Sequence, residues 1–109
     1  MTRKHKADAE RAVQRGVRLL DRTLPDWAAK IDLRLLNMDQ RDACVLGHCY
    51  GDFWHGLFAL GKPTDNRWAI RYGFNAAGTN EDEDGVPNGL YEYLALCWAH
   101  HIAKRQVAR

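Results

Sequence analysis

A chain of 109 residues, 46% hydrophobic and 28% charged, is sized for one domain around one modest core. A formal net charge of +2 gives no argument for a dedicated nucleic-acid binder and argues against an acidic mimic of DNA. No apolar run approaches the ~20 residues that cross a bilayer, and no apolar core follows the basic start MTRKHKADAER, so the expected location is the cytoplasm. Cys44, Cys49 and Cys97 are an odd set, read as free buried thiols in a reducing compartment.

In chain order, Val13, Val17, Leu20 and Leu24 recur at the 4-3-4 spacing of one helical face and predict a helix from about Lys6 to Thr23. Pro25 ends it, and Asp26 is placed to cap a short helix, WAAKI. The segment DLRLLNMD follows as a connector that tucks leucines into the core. The second long helix is expected from about Arg41 to Leu60, with one stripe of Val45, Cys49, Phe53 and Leu57. Leu46, Tyr50, Trp54 and Phe58 make a second stripe beside it, which predicts a central helix. Gly47 and Gly51 share a face of that helix, where another backbone is expected to come close.

Gly61 and Pro63 stop the helix, and Asp65 or Asn66 caps a short one, RWAIRYGF, with Gly73 near its end. The stretch NAAGTNEDEDGVPNG has no apolar period and predicts a mobile acidic loop at about 75–88. A last helix is expected from about Leu90 to Arg105, with a core stripe of Leu90, Leu94, Cys97, Trp98, His101 and Ile102. No segment alternates convincingly at period two. The expectation is a single all-α domain over 1–109, a compact bundle of three main helices plus two short helices.

Candidate chemistry is concentrated in CVLGHCYGDFWHG. Cys44 and His48 are four apart, as are Cys97 and His101, and two such pairs on facing helices could offer zinc four ligands. The competing reading is buried thiols and partly buried imidazoles on helix faces. His48, Asp52 and His55 share a face at 4-3 spacing and match the ligand types of open iron sites. Ligands from one straight helix diverge, so a polar, water-facing stripe is the plainer account. No metal or cofactor is therefore expected. Nor does a strand-turn-helix elbow present a thiol nucleophile, and the acids of GTNEDEDG would repel a phosphate, so catalysis is disfavoured and no small-molecule substrate is expected.

Two binding surfaces remain. Arg11, Arg15, Arg18 and Arg22 step along one side of the first helix and could track phosphates, which makes nucleic-acid binding the alternative function. The other is aromatic. Four tryptophans, four tyrosines and three phenylalanines exceed what so small a core encloses. Tryptophan, tyrosine and arginine anchor protein interfaces, so Trp68, Arg71 and Tyr72, with Trp54, are the candidate protein-binding residues.

GVRLLDRTLPDWAAKIDLRLLNM, CVLGHCYGDFWHGLFALG and YGF, with the last helix YEYLALCWAHHIAKR, resemble small proteins encoded by bacteriophages of actinobacteria such as mycobacteria. The resemblance covers about residues 16 to 74 and the final helix, and C-LG--YG-F--GL--LG is its most specific part. This chain departs from the pattern in having His48 where glutamine is usual, and in having Cys97. The resemblance brings no activity or cofactor with it. It implies a non-enzymatic accessory protein that binds a host or phage protein in the bacterial cytoplasm.

Overall fold

The computed structural model describes residues 1–76 and 85–107. Among these the chain is all-α, without strands: α1 (Arg3–Thr23), a 3-10 turn (Trp27–Lys30), α2 (Val45–Tyr50), α3 (Phe53–Ala59), α4 (Asn66–Arg71) and α5 (Leu90–Val107). No helix is long and apolar enough to cross a membrane.

The first helix starts at Arg3, three residues before the expected Lys6, because Thr2 and His5 form a reciprocal cap. The Thr2 hydroxyl accepts from the His5 amide at 3.1 Å and the His5 ring accepts from the Thr2 amide at 3.0 Å. Its inner face buries Val13, Val17 and Leu20 as the spacing requires, with Leu24 partly buried. Helix α5 lies beside it and runs parallel to it. Tyr93 donates to Glu10 near both starts, and Arg105 donates to Asp21 at 2.7 Å near both ends.

The 3-10 turn closes one end of this pair. Asp26 makes no side-chain cap there; the turn is held instead by Gln106, whose amide donates to the carbonyls of Ala28 and Ile31 at 3.1 and 2.9 Å. Fully buried Trp27 meets Trp98 edge to face with ring centres 5.6 Å apart, and Phe74 stacks on Trp98 at 5.5 Å. Each indole N–H finds an acceptor: Trp27 donates to Asp21 at 2.8 Å and Trp98 to the Gly73 carbonyl at 2.6 Å.

The expected continuous helix from Arg41 to Leu60 is two helices, separated by a break at Gly51 and Asp52. Residues up to Cys44 are turn, and the Cys44 thiol caps α2 by accepting from the Gly47 amide at 3.3 Å. At Gly51 the backbone turns left-handed, φ +91°, which ends α2. Asp52 then caps α3 by accepting from the Trp54 amide at 2.9 Å. The close approach expected at Gly47 is present, since a Cβ there would lie 2.5 Å from the Asp42 backbone. At Gly51 it is absent: a Cβ would meet nothing within 4 Å. The stripe Val45, Phe53 and Leu57 stays buried, but the break leaves Phe58, expected in the second stripe, 77% exposed.

Of the connector leucines, Leu33 and Leu36 pack on the core and Met38 is buried, but Leu35 is exposed. The expected acidic loop at 75–88 lies partly outside the described residues, which omit 77–84. Its two ends are tied down. Asn75 accepts from the Tyr91 hydroxyl at 2.9 Å, Ala76 is buried, and Val86 packs against the core.

Candidate interaction surface

Helix α4 is short, and its place is fixed from both ends. At its start Asp65 accepts from the Arg67 amide at 2.7 Å. At its end the chain leaves through Gly73, φ +74°, directly over α1, where a Cβ would lie 2.8 Å from the Val13 backbone. Gly16 completes the crossing from the α1 side. A Cβ there would collide with the Tyr72 carbonyl and sit 2.8 Å from the Trp98 ring. Two residues without side chains therefore let the end of α4 lie on α1, with Ala69 buried beneath it.

That placement presents Trp68 and Tyr72 together. Four apart, Trp68 on α4 and Tyr72 at its C-cap, they stack with ring centres 4.8 Å apart and planes within 3°. The Lys62 ammonium, returned to this side by the turn after α3, lies 4.5 Å from the Trp68 ring centre and 5.7 Å from that of Tyr72. Arg67 and Arg71 are exposed beside the rings, and the Arg67 guanidinium reaches Asp65 at 3.4 Å. Arg67, Trp68, Ile70, Arg71 and Tyr72 line an open depression of about 550 Å³. Three cations and one carboxylate around a flat aromatic pair make a ledge suited to an acidic or planar partner.

The structure thus brings Trp68, Arg71 and Tyr72 together and leaves Trp54 apart. Half-buried Trp54 meets Phe53 edge to face at 4.8 Å and lines a separate cleft of about 220 Å³ with Phe74, Asn66, Asn75 and Tyr91. Burial, and then Asp39, push the Tyr91 phenol above its ordinary range.

The arginine row of α1 is split in its partners. Arg11 is paired with Asp8 at 2.7 Å, while Arg18 and Arg22 are exposed. Arg15 crosses to α4 and donates to the Arg71 carbonyl at 3.1 Å. The basic row and the aromatic ledge, separate in the sequence, meet at that bond. Neither this contact nor the part played by Lys62 is signalled by periodicity, because the first depends on how α4 sits on α1 and the second on the turn between α3 and α4.

The two Cys-His pairs do not converge. Among the described residues no group of three or more His, Cys, Asp or Glu side chains is placed to hold a metal ion. Cys44 is buried as the cap of α2, and the His48 ring donates from Nδ1 to the Cys44 carbonyl at 3.1 Å. Cys97 and His101, expected in the core stripe of the last helix, are only partly buried and line the α1–α5 groove. His48, Asp52 and His55 share no helix face, because the break at Gly51 turns Asp52 into a cap that also pairs with Arg41 at 3.2 Å. Burial pushes the thiols of Cys44 and Cys97 up, and that of Cys49 up to about 12. All three are protonated, poorly nucleophilic thiols at neutral pH. No family model, no curated protein and no solved structure matches the chain.

Proposed function

We propose that this chain is a non-enzymatic accessory protein of an actinobacterial phage, acting in the host cytoplasm by binding a host or phage protein. The observation that carries the reading is the stacked Trp68–Tyr72 pair with Lys62, Arg67 and Arg71 around it. Rigid aromatics flanked by arginine are the usual anchors of protein interfaces, since they bury much area at little entropic cost. The positive rim favours a partner with an acidic face. The sequence resemblance supports the phage origin.

The test is recovery of partners on tagged protein from host cells, comparing wild type with Trp68→Ala. One stoichiometric protein, retained by wild type and lost from the variant, is the expected result. Equal recovery on both would sink the assignment to this ledge. The second reading, nucleic-acid binding, is favoured by the Arg15–Arg71 contact, which makes the basic row of α1 continuous with a surface on which bases could stack. It predicts recovery that is lost on nuclease treatment and a steep fall in affinity with salt.

A further inference from the structure

The cleft beside Trp54 is built of rings and amides. It lies where the turn before α2, the start of α3, the two ends of α4 and the start of α5 come together. Buried Phe53 and Phe74 form its apolar floor. Half-buried Trp54 meets Phe53 edge to face, so Phe53 leaves at least one flat side of the indole uncovered. The polar groups around these rings are only partly used. Asn75 Oδ1 is occupied, accepting from the Tyr91 hydroxyl and from the Ala76 amide, each at 2.9 Å. Asn75 Nδ2 donates to Asn66 Oδ1 at 3.2 Å. A primary amide carries two donor hydrogens. Among the described residues, therefore, one hydrogen on Asn75 and both on Asn66 have no protein partner. The exposed side chains of Gln40 and Asp39, also on the cleft, have none there either. Arg41, the cation of the lining, is committed to Asp52 at 3.2 Å.

We infer that this cleft binds a nucleobase, as the free base or its nucleoside, with a preference for a base that carries an amino group. Size limits the ligand to one ring system: the cleft holds about 220 Å³, below the ~300–1,000 Å³ of sites for drug-sized molecules. Polarity then selects among rings. A purely apolar ring would desolvate the Asn66 and Asn75 donors, Gln40 and Asp39 without pairing them, which is costly. The edge of a base offers ring acceptors to the amide donors and an amino group to the carboxylate. Asparagine and glutamine with adenine, and aspartate with the amino group of cytosine, are pairings of this kind. The indole supplies a flat surface for stacking, which every base can use. A phosphate is disfavoured, because Asp39 lines the cleft and its cation is already paired. The cleft shares no residue with the α4 ledge or with the arginine row of α1, so the inference stands apart from both readings of the function.

Titration of the full-length, isotope-labelled chain with adenosine, cytidine, guanosine and uridine, followed by NMR, tests it. The Trp54 indole and the Asn66 and Asn75 side-chain amide signals should shift. At least one of the three amino-bearing nucleosides should bind with a Kd below ~1 mM. Uridine should bind at least ~10-fold more weakly than that nucleoside, because it sets a carbonyl where the carboxylate needs a donor. The 5′-monophosphate of the tightest binder should also be weaker than its nucleoside. Asp39→Asn should reduce the preference over uridine to below ~3-fold, since an amide both donates and accepts. Asn66→Ala should weaken binding by ~3-fold or more, the usual effect of a lost hydrogen bond. Both positions are exposed, so the circular dichroism spectrum should not change. No shift of the cleft signals with any of the four nucleosides at ~10 mM, binding indifferent to both substitutions, or a monophosphate held as tightly as its nucleoside would each overturn the proposal.

Discussion

Glycine decides several contacts in this molecule, and for different reasons. Gly51 faces open space, so packing does not require it; its left-handed backbone does. Alanine there should cost about 1 kcal/mol despite its better helix propensity, since an L side chain is disfavoured by ~1–2 kcal/mol in that region. Asparagine, which tolerates the region, should recover part of the loss. Thermal melts of the two variants check this; a more stable Gly51→Ala would mean that the turn is free to leave the left-handed region. Gly16 is the steric case. Gly16→Ala forces a methyl into the Tyr72 carbonyl and the Trp98 ring, and overpacking of this kind typically costs ~1–3 kcal/mol. It should also weaken partner binding, because the end of α4 must move.

At the scale of elements, the break between α2 and α3 has its own cap. Asp52 satisfies the Trp54 amide and pairs with Arg41, and the amide hydrogen bond is the main reason its carboxyl sits below its ordinary range. Asp52→Ala should destabilise by about 1 kcal/mol in denaturant titration, the usual cost of a lost N-cap. Asp52→Asn should cost less, because its side-chain oxygen still accepts. If α2 and α3 instead merged into one helix in solution, Asp52 would be a helix-interior residue and its removal would be neutral or stabilising. Packing between the two halves runs through Gly56, where a Cβ would lie 2.7 Å from Leu46, and not through Gly51.

Across the whole molecule, the ends of α1 and α5 and the 3-10 turn are joined at Asp21. It accepts from Arg105 and from the Trp27 indole, and Arg105 is the leading cause that holds its carboxyl below its ordinary value. A carboxyl depressed by folding stabilises the fold above its unfolded value, near 3.8, and loses that contribution as pH falls through the folded value. The melting temperature of wild type should therefore exceed that of Asp21→Asn at neutral pH, with the gap closing below about pH 4. A gap that widened on acidification would exclude this linkage.

The sequence by itself determined that α1 and α5 are helical and that Val13, Val17 and Leu20 of the one and Leu90, Leu94, Trp98 and Ile102 of the other enter the core, because burial at period 3.6 writes itself directly into residue order. It also picked out Trp68, Arg71 and Tyr72 as neighbours on one short helix, a matter of four-residue spacing. Whether Arg41 to Leu60 is one helix or two was beyond it: the residues of CVLGHCYGDFWHG suit either, and a single left-handed glycine makes the difference. The same holds for the thiol and imidazole pairs, whose spacing is local but whose meeting would depend on how distant helices cross. Tertiary structure alone decided those crossings. It placed α4 on α1 through Gly16 and Gly73, set Arg15 against Arg71, and separated Trp54 from the ledge. Residue spacing records the faces of a helix, whereas the docking of one helix on another is fixed by close packing between residues far apart in the chain.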